Sequence, residues 1–183
     1  MSRRNLLGLW VMAGLLAACG RSPDNGFIGF GNSSLLNGGI HIRDGQATLH
    51  VHGSPDAIID AAGDLTIDQH AVEVNPAERS LLQQYYLSAL AVREHGIETG
   101  KAGAAIAGQA LSSVAKGIAT GDTDQIDKQV DAKADQVKQT ALKICGDLAG
   151  IKAAQDGLAA QLAAFKPYAG IVESGAVEDC RKG

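Results

Sequence analysis

The stretch Leu6 to Ala18 carries no charged residue, follows Arg3 and Arg4, and closes on Leu16-Ala17-Ala18-Cys19. That one feature decides which residues are left to fold. A positive start, a short apolar run and a small-residue ending are the parts of a secretory signal, and the run is too short to span a bilayer as a helix. Small residues before a cysteine let a lipoprotein-type peptidase reach the preceding bond, and the cysteine thiol then carries diacylglycerol. The expectation is a signal peptide over 1–18, cut before Cys19, with lipidation at Cys19; the bland alternative is an ordinary signal peptide with a chance cysteine. Gly20 stands where an Asp would favour inner-membrane retention. The address is therefore the outer membrane, facing the periplasm, through two or three acyl chains, enough for stable anchoring.

Removing residues 1–18 takes the basic residues from 16 to 14 against 20 acidic ones, a net charge of about −6. An acidic chain without basic clusters argues against nucleic acid as a partner. It argues equally against electrostatic docking on anionic lipid. Aromatic residues make up only 4% of the chain, so the core has to rely on Ala, Leu, Ile and Val. With Cys19 lipidated, Cys145 and Cys180 remain. An oxidising compartment predicts a disulfide between them, closed by a turn back after Phe165 through Pro167, Gly170 and Gly175.

Residues 19–39, rich in Gly, Ser and Asn, read as a tether, although Phe27, Ile28, Phe30, Leu35 and Leu36 suit a segment that partly packs. Asp44-Gly45 is a type I′ hairpin signal. A two-residue loop there pairs Arg43 with Gln46, Ile42 with Ala47, His41 with Thr48 and Ile40 with Leu49, and it sorts the apolar residues onto one face. A second hairpin over 64–74, with Gln69-His70 as its loop, sets Ile67 opposite Val72 and Leu65 opposite Val74. Ala57-Ile58-Ile59 reads as a short strand between the two. Asn75, Pro76 and Glu78 mark a helix start at cap, first and third positions, and Gly96 its end or kink. Gly96, Gly100, Ala104, Gly108 and Ser112 form a smooth strip that predicts close packing by another helix. Val130, Val137, Ile144, Ile151, Leu158 and Phe165 are spaced by seven, with Ala134, Ala141, Leu148, Gln155 and Leu162 as companions. That is the pattern of a coiled-coil-like helical hairpin or bundle, which Gly146, Gly150 and Gly157 weaken. The chain thus predicts one α+β domain over 40–183: two antiparallel hairpins, then an antiparallel bundle of two to three long amphipathic helices.

Three groups invite chemistry. His41, His50 and His52 share a face of the first hairpin and are zinc or copper ligand types, yet no local cysteine or carboxylate completes a set, so a solvated polar face is the simpler reading. Asp122, Asp124, Asp127 and Asp131 suit a helix start and lack the spacing of a calcium loop. No Gly-x-Ser-x-Gly, His-Glu-x-x-His, phosphate-binding loop or Cys-x-x-Cys occurs. Ser112-Ser113 and His95 are explained by packing and by a helix end. No catalytic residue, metal site or cofactor is nominated.

Gly63-Asp64-Leu65-x-Ile67 and Val72-x-Val74, continued by Arg79, Leu82 and Tyr85 or Tyr86, and then Ile144-Cys145 through Leu158 and Leu162, resemble the YggN-like family of uncharacterised bacterial periplasmic proteins. The resemblance covers roughly half of the mature chain. It implies a fold of β-hairpins plus helices and an envelope location, and it transfers no catalytic residue. This chain departs from the family in its lipobox, its shorter helical middle and its tail ending in Cys180. The functional expectation is a non-enzymatic, membrane-anchored protein that binds another protein or envelope component. An assembly factor whose helices self-associate is the alternative, and an inhibitor or immunity-type lipoprotein, or an enzyme without a sequence motif, comes third.

Overall fold

The computed structural model describes residues 28–29, 34–36, 39–120 and 124–182; for most of 110–136 it describes the backbone alone. Among the described residues, seven short strands form one antiparallel meander in chain order: β1 (Ile28–Gly29), β2 (Ser34–Leu35), β3 (Ile40–Arg43), β4 (Gln46–Leu49), β5 (Ala57–Asp60), β6 (Leu65–Ile67) and β7 (His70–Val72). Two long helices follow, α1 (Pro76–Thr120) and α2 (Asp124–Gln161), then a 3-10 turn (Ala163–Tyr168) and a short α3 (Ala176–Lys182). The class is α+β, as expected.

The first hairpin has the expected register at all four pairs from Arg43–Gln46 to Ile40–Leu49. Asp44 and Gly45 both take positive φ, 50° and 76°, as a type I′ turn requires. Ile40, Ile42, Ala47 and Leu49 are buried, and β5 adds Ala57 and Ile59 to the same face. The second hairpin departs from expectation. Its loop is Asp68-Gln69, at φ 51° and 65°, and it pairs Leu65 with Val72 and Ile67 with His70. Asp, which tolerates the left-handed region, takes the first turn position here as it does in the first hairpin. The register moves by two residues, an even number, so Leu65, Ile67 and Val72 stay on the expected face although their partners change. The sheet also begins upstream of residue 40. Leu35 is buried and β2 pairs with β3, so the last part of the segment read as a tether belongs to the fold.

Asn75 caps α1 as the sequence predicts. Its Oδ1 accepts the N–H groups of Ala77 and Glu78 at 2.9 and 3.0 Å, while Glu78 Oε2 accepts the Asn75 N–H at 2.8 Å, a reciprocal capping box. The helix then runs through Gly96 instead of ending there, and α2 runs unbroken through Gly146, Gly150 and Gly157. Gly150 and Gly157 are contact points, whereas a Cβ on Gly146 would meet nothing within 4 Å. A Cβ on Gly150 would sit 2.5 Å from Ser88 Oγ, and one on Gly157 would sit 3.0 Å from Leu81. Missing side chains let the helices approach closely there, and the packing gained offsets the propensity penalty of glycine. Leu81 meets Gly157 and His95 meets Asp147, so the pair is antiparallel.

Leu82, Tyr85, Ala89 and Val92 of α1 and Ile144, Leu148, Ile151 and Leu158 of α2 close over the sheet, joined by Phe165, Tyr168 and Val172. The seven-residue spacing thus marks true core positions from Ile144 to Phe165, whereas Val137 and Ala141 are half-buried. The small-residue strip does not pack as expected. Gly96 is buried, but Ala104, Gly108 and Ser112 are exposed. Among the described residues, buried positions of α1 end at Gly96 and those of α2 start at Ile144, so both helices continue beyond the core they share. Among the described residues, no helix is long and apolar enough to cross a membrane.

Tyr85 lies fully buried, edge-on to Phe165 with ring centroids 5.9 Å apart, and its hydroxyl has no hydrogen-bond partner among the described residues. Burial pushes this phenol well above its ordinary value. It stays neutral when folded, while the unfolded chain ionises it near pH 10, so its contribution is complete below about pH 10 and lost as pH rises further. Tyr85→Phe is expected to leave stability unchanged or raise it by about 1 kcal/mol at pH 7, with a shallower fall above pH 10, read by urea unfolding across pH. Helix contact gives a second test. Gly150→Val is expected to cost about 1–3 kcal/mol by overpacking against Ser88, whereas Gly146→Ala, where a Cβ meets nothing within 4 Å, is expected to stabilise by up to about 1 kcal/mol.

Candidate functional site

Just past the row Leu35–Ile40–Leu49 the sheet ends in a tight turn. Leu36 takes φ 53°, its carbonyl accepts the Gly39 N–H at 3.0 Å, and the Gly39 carbonyl accepts the His50 N–H at 2.9 Å. Leu36, Gly39 and His50 thereby form the next row outward, with Val51 and His52 following. Facing them is the segment after α2. Between the two lies an open cleft of about 450 Å³, with Leu36, Gly39, His50, Val51 and His52 on the sheet side and Pro167, Gly170, Ile171 and Glu173 on the other. Ile171 reaches so near Gly39 that a Cβ there would lie 3.0 Å from its methyl group.

The far wall is irregular backbone, so its polar groups need partners. Gln155, fully buried on α2, supplies them. Its Nε2 donates to the carbonyls of Ala169 at 2.6 Å and Val172 at 3.0 Å, and its Oε1 accepts the Val172 N–H at 2.9 Å. Tyr168 fastens the same segment to the sheet by donating its hydroxyl to the Pro55 carbonyl at 2.6 Å. Burial, and then the nearby charge of Asp56, raise the Tyr168 phenol above its ordinary value. Asp56 also holds the near wall, since His50 Nδ1 lies 2.8 Å from its Oδ1. With Nδ1–H donated to the carboxylate, Nε2 is the remaining hydrogen-bonding atom, an acceptor in the neutral ring and a donor in the imidazolium. The cleft thus combines an apolar floor of Leu36, Val51 and Ile171 with two imidazoles on one lip and the exposed Glu173 on the other. An apolar surface with a few polar groups around it is the make-up of a recognition site.

Cys145 and Cys180 form the expected disulfide, with sulfurs 2.01 Å and Cα atoms 5.6 Å apart. Cys145 is buried on α2, and the bond draws back α3, which buries no residue of its own. Cys19 lies outside the described residues. Of the hairpin histidines, His50 and His52 reach the cleft, while His41 stands opposite Thr48 on the outer sheet face. Among the described residues, no group of three or more His, Cys, Asp or Glu side chains is placed to hold a metal ion. The side chains of Asp122, Asp124, Asp127, Asp131 and Ser113 lie outside the description. Ser112 bonds the Gln109 carbonyl of its own helix. His95 is not at a helix end: it sits inside α1, with Nδ1 2.6 Å from Asp147 of α2. Gln155, Tyr168 and Glu173 carry no sequence motif. The one legible sign was a glutamine among the companions of the seven-residue series.

No family model, no curated protein and no solved structure matches this chain.

The Cys145–Cys180 bond closes a loop of 35 residues. Replacing both cysteines by Ser is expected to lower unfolding free energy by roughly 3–4 kcal/mol on the chain-entropy account. Paired urea titrations of wild type and variant measure this. An unchanged midpoint would mean that the tail is held by its other contacts alone.

Proposed function

We propose that this chain is a lipoprotein of the cell envelope, held on the outer membrane through Cys19, facing the periplasm, and acting by binding another protein or envelope component instead of by catalysis. The observation that carries the reading is the Leu16-Ala17-Ala18-Cys19 ending of a short apolar run behind Arg3 and Arg4. The disulfide supports it, because such bonds persist in oxidising compartments. The cleft supports the binding half, with its apolar floor and polar lips. The likeness to YggN-like envelope proteins agrees with this reading and names no partner. An inhibitor or immunity-type role is a narrower form of it.

A second reading is an assembly factor whose helices self-associate. It is favoured by Ala104, Gly108 and Ser112, small residues four apart that face solvent beyond the shared core. Sedimentation of the purified protein in neutral detergent separates the two: a monomer fits the binder, and a defined oligomer fits the assembly factor.

Lipidation has its own test. Cells labelled with a fatty-acid analogue are expected to mark the wild-type protein and leave Cys19→Ala unmarked and uncleaved. Absence of label from the wild type would sink the anchored reading.

A further inference from the structure

Strand directions fix where the chain joins the sheet. Ile28 pairs with Leu35, Leu35 with Ile40 and Ile40 with Leu49, so Ile28 belongs to the row next to Leu36, Gly39 and His50. From Ile28 the chain runs on to Gly29 and away from the cleft, so it enters the sheet from the cleft's end. Cys19 is nine residues upstream. Nine residues reach at most about 30 Å, so an anchor on Cys19 keeps this end of the molecule close to the bilayer surface.

The polar groups at the cleft divide by chemical type, imidazole against carboxylate. His50 and His52 stand on the sheet side, Glu173 on the opposite wall, and Leu36, Val51 and Ile171 lie between them. Imidazolium N–H groups donate to phosphate oxygens, and a carboxylate pairs with an ammonium. A purely anionic ligand would meet Glu173 in the cleft and Asp56 behind His50. A purely cationic one would leave the two imidazoles unused. A ligand with a phosphate and an ammonium a few atoms apart, on an apolar stem, answers all three features.

We propose that the cleft takes the zwitterionic headgroup of an ethanolamine phospholipid from the membrane that holds the chain, the phosphate at His50 and His52 and the ammonium at Glu173. This rests on the reading that Cys19 is lipidated. Asp56 positions the His50 ring through Nδ1, and it is the imidazolium form of that ring that offers Nε2–H to a phosphate oxygen. Leu36, Val51 and Ile171 receive the glycerol and the start of the acyl chains. The anchor itself keeps local lipid concentration high, so weak intrinsic affinity suffices. Gln155 and Tyr168 keep the Glu173 wall in place.

The test uses the mature lipidated protein in neutral maltoside micelles, titrated with glycerophosphoethanolamine and followed by the imidazole proton resonances of His50 and His52 and by calorimetry. Saturable binding is expected, at least about tenfold tighter than that of glycerophosphoglycerol or inorganic phosphate. Glu173→Gln, at an exposed position, is expected to keep the wild-type melting temperature and to lose the preference for ethanolamine over glycerol. His52→Ala is expected to weaken both ligands. No binding of glycerophosphoethanolamine overturns the proposal. Equal binding of the three probes overturns it in favour of a simple phosphate site. An ethanolamine preference that survives Glu173→Gln overturns the assignment of the ammonium. If the fatty-acid label at Cys19 fails while the headgroup still binds, the anchored reading falls and the site stands; the reverse pattern sinks the site alone.

Discussion

The meander has one apolar face, and the need to keep that face from water organises the rest of the molecule. Two cross-strand rows make it up: Leu35–Ile40–Leu49–Ala57–Ile67, and Ile42–Ala47–Ile59–Leu65–Val72. Each fully buried aliphatic side chain contributes roughly 1.5–3 kcal/mol relative to exposure, and strands of two to four residues gain little without such a cover. The cover is the start of α1, backed by the end of α2 and the segment after it. With only 4% aromatic residues in the chain, the two helices have to come close to seal it. Gly150 against Ser88 and Gly157 against Leu81 are where they do so.

Sealing the core also explains the C-terminal segment. After Gln161 the chain turns back across the end of the sheet, where Phe165, Tyr168 and Val172 complete the core. Irregular backbone at that depth carries unpaired polar groups, and a buried amide on α2 resolves the problem. Gln155 matches two carbonyls and an N–H of the segment, so its own burial carries little penalty. Tyr168 and the disulfide fasten the segment at either side of this point. The cleft is a by-product of that closure. Its near wall is the ragged end of β2, β3 and β4, and its far wall is the segment that Gln155 holds.

Beyond the core the helices follow a different rule. Positions 101–109 of α1 are exposed or half-buried, and a Cβ added to Gly103 or Gly108 would meet nothing. Helical periodicity continues there, but no sheet lies beneath it. A strip of small residues is therefore an ambiguous signal: in one part of α1 it ends in a buried Gly96, and two turns later it faces solvent.

Local rules wrote much of this fold into the sequence. Asp44-Gly45 dictated a hairpin and its register, because both turn positions need a left-handed backbone that these residues accept. Asn75, Pro76 and Glu78 dictated the start of α1, since their side chains and ring complete the first turn without outside help. The seven-residue series located the core face of α2 from Ile144 onward, and reading Cys19 as a lipidation site left Cys145 and Cys180 as the pair expected to join, which they do. What the sequence could not decide were matters settled between segments far apart in the chain. Gly96 and Gly150 weaken a helix by propensity, and close packing in the tertiary structure offsets that cost. The second turn lay between two loops of similar chemistry, and cross-strand pairing chose Asp68-Gln69. The cleft was illegible because His50, Glu173 and Gln155 owe their meeting to how the tail packs on the sheet, and no local pattern encodes a contact closed by more than a hundred intervening residues.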